Sequence, residues 1–206
     1  DKRHLYKTPS HPKEAYANSI HLADQGLHVF FEELRKRPHF KNSIVIIAGD
    51  HSLPMGDHGT YHLEVGYHDD SFRTPLIIHW DGVLKPQVLD TVHSQMDIVP
   101  TILDLLNTPP LPNNFQGRSI FDPDSRDRII PMVQPYGKYI GLYKAPYKYI
   151  YHGNSGMVYA YNLDTDPEER HNIYKTLSDP ILKEFKDALD QVYLNDYLIK
   201  NNLIWP

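Results

Sequence analysis

Side chains able to bind a metal or exchange protons are concentrated in one stretch, residues 43–62, which reads SIVIIAGDHSLPMGDHGTYH. A carboxylate directly followed by an imidazole offers two metal ligands of different hardness. Further imidazoles in the same loop could donate hydrogen bonds to an anion or act as acids near neutral pH. This stretch is therefore the best candidate for a functional site, and its candidate side chains are Asp50, His51, Asp57, His58 and His62.

The element that must position these residues is the apolar run at 44–47, which is rich in β-branched residues. Such a run predicts a short strand buried on both faces. Gly49 ends the run, so Asp50 and His51 follow at the carboxyl end of the strand. In open α/β sheets this edge forms the ligand-binding crevice. The alternative is an aspartate that caps a helix beside a surface histidine, and this local pattern alone leaves both interpretations open.

Composition limits the classes of function. The chain has 206 residues, 40% of them hydrophobic and 23% charged, as is typical of a soluble domain with one substantial core. The net charge of −5 provides no basic field, which argues against nucleic acid and anionic membranes as partners. The absence of cysteine excludes disulfides, thiolate zinc sites and a cysteine nucleophile within these residues. No apolar run is long enough to span a membrane, and we interpret the chain as part of a longer protein.

The first half of the chain has the pattern of an α/β unit. Residues 14–37 predict a helix, and residues 74–80 predict a second strand after a short helical turn at 67–72. A further helix is predicted from a cap at Ser94 or Asp97 to Leu106. The stripe of the first helix that is predicted to face the core consists of Ile20, Ala23, Leu27, Phe30 and Leu34.

The second half of the chain has a different residue pattern. Four short runs at 129–133, 138–143, 148–151 and 158–163 are rich in Tyr, Ile and Val and predict an antiparallel meander. Their tyrosines suit a half-exposed sheet, with an aromatic surface for a sugar as the alternative. Asp166 and Pro167, followed by two glutamates, predict the start of a helix, and residues 179–200 predict a last amphipathic helix.

Several of these segments, in this order, match one family: the strand with Gly49, Asp50 and His51, the RTPLII run at 73–78, and MDIVPTIL at 96–103. The segments GRSI at 117–120 and YNLDTDPEERHN at 161–172 follow. The chain resembles the C-terminal half of a sulfatase, within the alkaline-phosphatase superfamily. That superfamily also includes lipoteichoic-acid synthases and phosphoethanolamine transferases, and the helix with YANSI at 16–20 and Asp24 resembles one in those membrane-anchored enzymes.

The resemblance implies an α/β fold with an alkaline-phosphatase-like mixed sheet flanked by helices. A small C-terminal antiparallel sheet and a terminal helix would pack on it. Residues 1–121 would form the C-terminal half of the catalytic core, and residues 122–206 the sheet-and-helix subdomain of the same domain.

The resemblance also implies that Asp50 and His51 are the late pair of ligands to one divalent cation. Calcium is usual in sulfatases, and manganese or zinc in the transferases. The nucleophile and the other ligands would lie upstream, outside this chain. We therefore expect the isolated chain to bind metal weakly, to lack turnover, and to self-associate through apolar surface that the rest of the domain would cover.

Two departures from the family pattern bear on the substrate. Sulfatases commonly continue the ligand pair with glycine, whereas Ser52 follows His51 here. They also carry a sulfate-contacting lysine later in the loop, in the region that holds His62 here. We expect His62 to take the anion-contacting role, with His58 as second choice; the alternative for both is a loop histidine that packs on its neighbours.

The sequence leaves three alternative functions open. The first is a metal-dependent sulfuric ester hydrolase acting on a sulfate ester. The second is a membrane-anchored phosphoglycerol or phosphoethanolamine transferase, or a phosphatase, of the same superfamily. The third is a degenerate domain that binds a glycan or a protein. The first two imply an extracytoplasmic location, with any membrane contact made through segments outside this chain.

Overall fold

The computed structural model of the chain describes residues 8–62, 65–109, 113–134 and 138–204. The chain divides into two compact units. The N-terminal unit consists of Asp1–His62 and Asp69–Leu89, and the C-terminal unit of Leu63–His68 and Asp90–Pro206. The predicted boundary between residues 121 and 122 stays a prediction.

In the N-terminal unit, helix α1 (Pro12–Leu34) begins two residues before the predicted start at residue 14. His11 caps it by accepting a hydrogen bond from the N–H of Lys13 at 3.2 Å, and Pro12 occupies the first position, where its missing N–H costs little. The helix ends at Leu34 and not at Arg37 as predicted. Pro38 disfavours helical backbone in the residue before it, so the basic residues 35–37 form a turn.

The strands β1 (Ile44–Ala48) and β2 (Leu76–Trp80) pair antiparallel, with Ile46 opposite Ile78. The short helix α2 (Asp69–Phe72) precedes β2, as predicted. The prediction that β1 is buried on both faces is wrong for this structure, because its residues 44–47 are only partly buried. Within the described residues β1 pairs with one strand, so no second strand adds to its burial there.

His79 of β2 joins this sheet to the surrounding aromatic residues. Its ring stacks on Phe40 with centroids 5.6 Å apart and meets the edge of Phe31 from α1 at 5.9 Å. The predicted core stripe of α1 is covered only in part: Leu27 and Leu34 are partly buried, whereas Ile20 and Phe30 are 54% and 51% exposed.

In the C-terminal unit, a 3₁₀ turn (Gln95–Asp97) leads into helix α3 (Ile98–Leu105). Both predicted caps contribute, because Ser94 accepts a hydrogen bond from the N–H of Met96 while Asp97 accepts one from the N–H of Ser94. This reciprocal pair is a capping box, which satisfies donors that the start of the helix leaves free.

The four predicted runs of the second half form one antiparallel sheet in the order β3-β4-β5-β6. The meander is confirmed within one or two residues at each end. Its strands are β3 (Ile130–Gln134), β4 (Tyr139–Lys144), β5 (Tyr147–His152) and β6 (Val158–Asn162).

Helix α4 (Asp179–Lys200) matches the predicted last helix and packs on one face of this sheet. Phe185 of α4 stacks on Tyr149 of β5 with ring centroids 5.2 Å apart. On the opposite side the ring of Tyr67 lies 5.0 Å from Tyr139 and 4.8 Å from Tyr159. Burial, together with neighbouring tyrosines, raises the pKa of Tyr67 to about 12. These rings pack against one another, as expected of a sheet core.

The helix predicted to start at Asp166 does not form, and residues 163–170 make turns instead. Glu169 adopts a left-handed backbone conformation with φ of 52°, which does not continue a helix. Its buried carboxylate lies 2.5 Å from the ammonium of Lys148, which is also buried. This buried ion pair fixes the turn to β5.

The α/β fold class is confirmed. The described strands form two separate antiparallel sheets. None of the helices in the described ranges combines the length and apolar composition needed to cross a lipid bilayer.

Candidate metal centre and anion-contacting loop

Asp50 and His51 leave the sheet directly after β1, as the sequence predicts. Gly49 between them and the strand donates its N–H to the carbonyl of Pro75 at 3.1 Å. A Cβ at position 49 would lie 2.9 Å from the Cβ of Thr74, which is too close. Only glycine therefore lets the backbone pass the start of β2 here without a shift and release the pair from the strand end.

The two side chains face each other. His51 Nε2 lies 3.8 Å from Asp50 Oδ2, and the side chains are 58% and 90% exposed. The N–H of His51 also donates to Asp50 Oδ1 at 2.9 Å. This hydrogen bond and the charge of His51 lower the pKa of Asp50, so the carboxylate is ionised over the neutral range.

The ring of His51 is oriented by its own neighbour. Its Nδ1 lies 2.9 Å from the carbonyl oxygen of Ser52. A carbonyl only accepts hydrogen bonds, so in the neutral form of the ring Nδ1 carries the proton and Nε2 holds the lone pair. A backbone acceptor on the far ring nitrogen is the support that metal-binding histidines usually have.

These features fit a divalent cation. Carboxylate and imidazole atoms that share one ion at bonds of about 2.0–2.6 Å lie about 3–3.5 Å apart. The observed 3.8 Å reaches that range with a small side-chain rotation. Two ligands leave most positions of a cation open, so further ligands and a substrate oxygen would complete the shell.

The loop that follows is closed by two glycines in the left-handed region, Gly56 with φ of 90° and Gly59 with φ of 75°. The N–H of Gly56 donates to the carbonyl of Thr60 at 2.9 Å, and the N–H of Gly59 to that of Gly56 at 3.0 Å. A Cβ at position 56 would lie 2.4 Å from the hydroxyl of Tyr61. The loop is therefore compact, and it needs glycine at position 56.

Asp57 anchors this loop to α1 through an ion pair. The ammonium of Lys13 donates to both carboxylate oxygens of Asp57, at 2.7 and 2.9 Å. This hydrogen bond lowers the pKa of Asp57, although slight burial opposes it. Of the two aspartates in the stretch, Asp50 is thus the one placed beside an imidazole at the strand end.

The two histidines predicted to contact the anion have different surroundings. His62 is exposed, and its N–H donates to Thr60 Oγ1 at 3.1 Å. His58 is partly buried, and its Nδ1 lies 3.1 Å from Oδ2 of Asp70 in α2. The structure thus brings Asp50 to His51 and His58 to Asp70. The anion-contacting roles of His58 and His62 stay predictions.

The contact made by Asp70 is one that sequence reasoning missed. Asp70 lies within the helical turn predicted at 67–72, and α2 confirms that turn. Its pairing with a histidine twelve residues earlier depends on the path of the intervening chain. The local pattern carries no signal for such a contact.

Comparison with known proteins agrees with this fold. The family model named Sulfatase matches residues 2–108. Over 201 residues the chain is 29% identical to an arylsulfatase of Clostridium perfringens, covering 91% of this chain and 39% of that protein. Lipoteichoic acid synthase 2 of Bacillus subtilis is 30% identical over 124 residues, covering 56% of this chain and 19% of the synthase.

Solved structures show the same fold. The protein yidJ of Bacteroides fragilis, assigned as a sulfatase, superposes with a TM-score of 0.70 at 24% identity, over 93% of this chain and 43% of that one. A 2-O GAG sulfatase gives 0.64 at 20% identity, over 92% and 42% of the two chains. The chain thus spans less than half the length of these relatives. Because the family model covers more than half of its residues, the chain belongs to the sulfatase family.

Proposed function

We propose that this chain is part of a metal-dependent sulfuric ester hydrolase. Asp50 and His51 are its ligands to one divalent cation, and His62, with His58 as second choice, contacts the anionic ester. One observation carries this proposal. At the end of β1, His51 Nε2 lies 3.8 Å from Asp50 Oδ2, and the backbone carbonyl of Ser52 orients the ring through Nδ1. Membership of the sulfatase family supports the ester class.

The chemistry follows from these groups. A divalent cation bound here would draw negative charge from the sulfuryl oxygens and help a nucleophile to ionise. Asp50 contributes charge, and His51 contributes a neutral donor atom of fixed orientation. A loop imidazole would donate a hydrogen bond to a substrate oxygen. We place the nucleophile and the remaining ligands outside this chain, so the isolated chain should bind the ion weakly and should not hydrolyse an aryl sulfate.

Metal binding is the first test. Titration calorimetry of the isolated chain with calcium, manganese and zinc should detect a weak site that Asp50→Asn and His51→Gln each abolish. Asp24→Asn, the same substitution at an exposed position on α1, should leave binding unchanged. Equal binding by the wild type and both ligand variants would refute the assignment of Asp50 and His51.

The second test concerns the intact protein. Peptide mass spectrometry upstream of Asp1 should find a Cys-x-Pro-x-Arg or Ser-x-Pro-x-Arg stretch with its first residue converted to formylglycine, and the protein should release an alcohol from a sulfate ester. If the isolated chain sustained this hydrolysis, that result would contradict our proposal that the nucleophile lies outside this chain.

A phosphotransferase of the same superfamily is the second candidate. It is favoured by similarity to lipoteichoic acid synthase 1 of Bacillus subtilis, 27% identical over 89% of this chain, and by Ser52 where sulfatases commonly have glycine. A threonine in the nucleophile position and transfer of phosphoglycerol instead of sulfate hydrolysis would establish it. Either activity fits our proposal that the protein works outside the cytoplasm, in the periplasm or at the outer face of the membrane.

A further inference from the structure

A partly buried imidazole–carboxylate pair lies in the loop that follows the proposed metal ligands. His58 Nδ1 and Asp70 Oδ2 are 3.1 Å apart, and the two side chains are only 16% and 17% exposed. By contrast, the pair of Glu33 on α1 and Lys36 in the turn that follows is well exposed, as surface ion pairs usually are. Reduced contact with water strengthens the interaction of His58 with Asp70.

The pair fixes the proton position on the ring. An ionised carboxylate only accepts hydrogen bonds, so the proton of a neutral His58 lies on Nδ1. When the ring is protonated, Nδ1–H still donates to Asp70, and Nε2–H points away from the carboxylate. Asp70 thereby sets both the orientation of the ring and its neutral tautomer.

Both partners are held by their backbones. The Gly56–Gly59 turn carries His58, and the contact of Asp57 with Lys13 anchors that turn to α1. Asp70 lies in the first turn of α2, which the hydrogen bond from the N–H of Arg73 to the carbonyl of Asp69 closes at 2.8 Å. A side chain fixed in this way loses little entropy when it meets a ligand.

We propose that Asp70 is a positioning residue for His58, which donates a hydrogen bond from Nε2 to an oxygen of the sulfate ester. The proposal rests on the proposed function for the identity of the ester. The role of Asp70 on the ring is independent of that identity. A purely structural ion pair would hold the loop but would not require a particular tautomer.

The tautomer is measured by long-range ¹H–¹⁵N correlation NMR of the 206-residue chain, at a pH above the imidazole range so that the ring is neutral. His58→Gln assigns the signals. We expect the Nδ1–H form in the wild type and a shift toward Nε2–H in Asp70→Ala. Asp69→Ala, which removes the neighbouring carboxylate, should keep the wild-type tautomer. An Nε2–H ring in the wild type, or no change in Asp70→Ala, would overturn the proposal.

The ring of His79, stacked on Phe40, reports whether the N-terminal unit of each variant is folded. If Asp70→Ala loses the His79 signals, Asp70→Leu replaces it, because leucine restores the bulk of the side chain and supplies no acceptor. A pure Nδ1–H tautomer in folded Asp70→Leu would then count against the proposal.

Activity of the intact protein separates the two claims. On a sulfate ester, His58→Gln and Asp70→Ala should each lower kcat by about 10²-fold, and the double variant should be no slower than His58→Gln alone. Wild-type rates in Asp70→Ala would overturn the positioning role. A wild-type protein that leaves sulfate esters intact would overturn the proposed function, and the tautomer measurement would then decide the role of Asp70 alone.

Discussion

Asp166 lies where the sequence predicts the start of a helix, but its side chain stabilises a turn there instead. Its carboxylate accepts hydrogen bonds from the N–H groups of Arg170 at 3.0 Å and His171 at 2.8 Å. Burial acts to raise the pKa of Asp166, but these two donors and the charge of His171 outweigh it and leave the pKa below the ordinary value. The ionised form therefore stabilises the folded turn.

We predict that Asp166→Ala lowers the free energy of unfolding by about 1 kcal/mol at neutral pH. Because the folded pKa is lowered, this contribution is present above the unfolded-state pKa of about 4 and is lost as the pH falls through the folded value. Urea unfolding of both proteins across this range measures the difference. Asp164→Ala, at an exposed position of the same turn, is the control, and an Asp166 effect that persisted in acid would contradict this linkage.

The predictability of the site differs between neighbouring and distant residues. Asp50 and His51 are adjacent in sequence, so a strand followed by glycine was enough to predict their place at the strand end. His58 and Asp70 meet only because a glycine turn and a short helix bring them together. Contacts of this kind depend on the whole path of the chain, and a single sequence does not encode them locally.

At the scale of elements, Asp97 organises the start of α3. Its carboxylate is fully buried and accepts hydrogen bonds from the N–H groups of Ser94 at 2.8 Å and Arg118 at 2.9 Å. The guanidinium of Arg128 also donates to it. One side chain thus joins the helix cap to two later segments of the chain.

We predict that Asp97→Asn destabilises the protein by about 3–5 kcal/mol, because it removes one charge of a buried pair and leaves Arg128 uncompensated. Asp104→Asn is the matched control: Asp104 is exposed on α3 and bonds Ser119, so its loss should cost less than about 1 kcal/mol. Thermal unfolding of the two variants measures both effects. If the two variants lost similar amounts of stability, the contacts of Asp97 would contribute no more than exposed surface contacts do.

The elements themselves were predictable where local pattern and packing agree. The meander β3–β6 and helix α4 follow their alternating and helical apolar patterns, since these elements bury their apolar faces against one another. The missed helix at Asp166 has good helix-start residues, but the buried pair of Glu169 and Lys148 holds the backbone in another conformation. There a tertiary contact outweighs local preference.

At the scale of the whole molecule, the chain spans 39% of the arylsulfatase of Clostridium perfringens and 43% of the yidJ structure. The stripe of α1 that the sequence predicts to face a core carries Ile20 and Phe30 more than half exposed. Ile77 of β2 is exposed as well. These apolar residues belong to segments with the pattern of a core, yet they are exposed. Further polypeptide, or another copy of this chain, would supply the apolar contacts that they lack.

We therefore predict that the isolated chain self-associates and that Ile20→Ser together with Phe30→Ser reduces this association, because both changes remove apolar surface from the same stripe of α1. Light scattering over a concentration series measures it, with the mean mass falling toward that of one chain in the double variant. Val88→Ser makes the same kind of change at an exposed loop position and should leave the association unchanged. A wild type that stays monomeric throughout the series would contradict the prediction, and an equal response to Val88→Ser would show that general hydrophobicity, and not the α1 stripe, drives association.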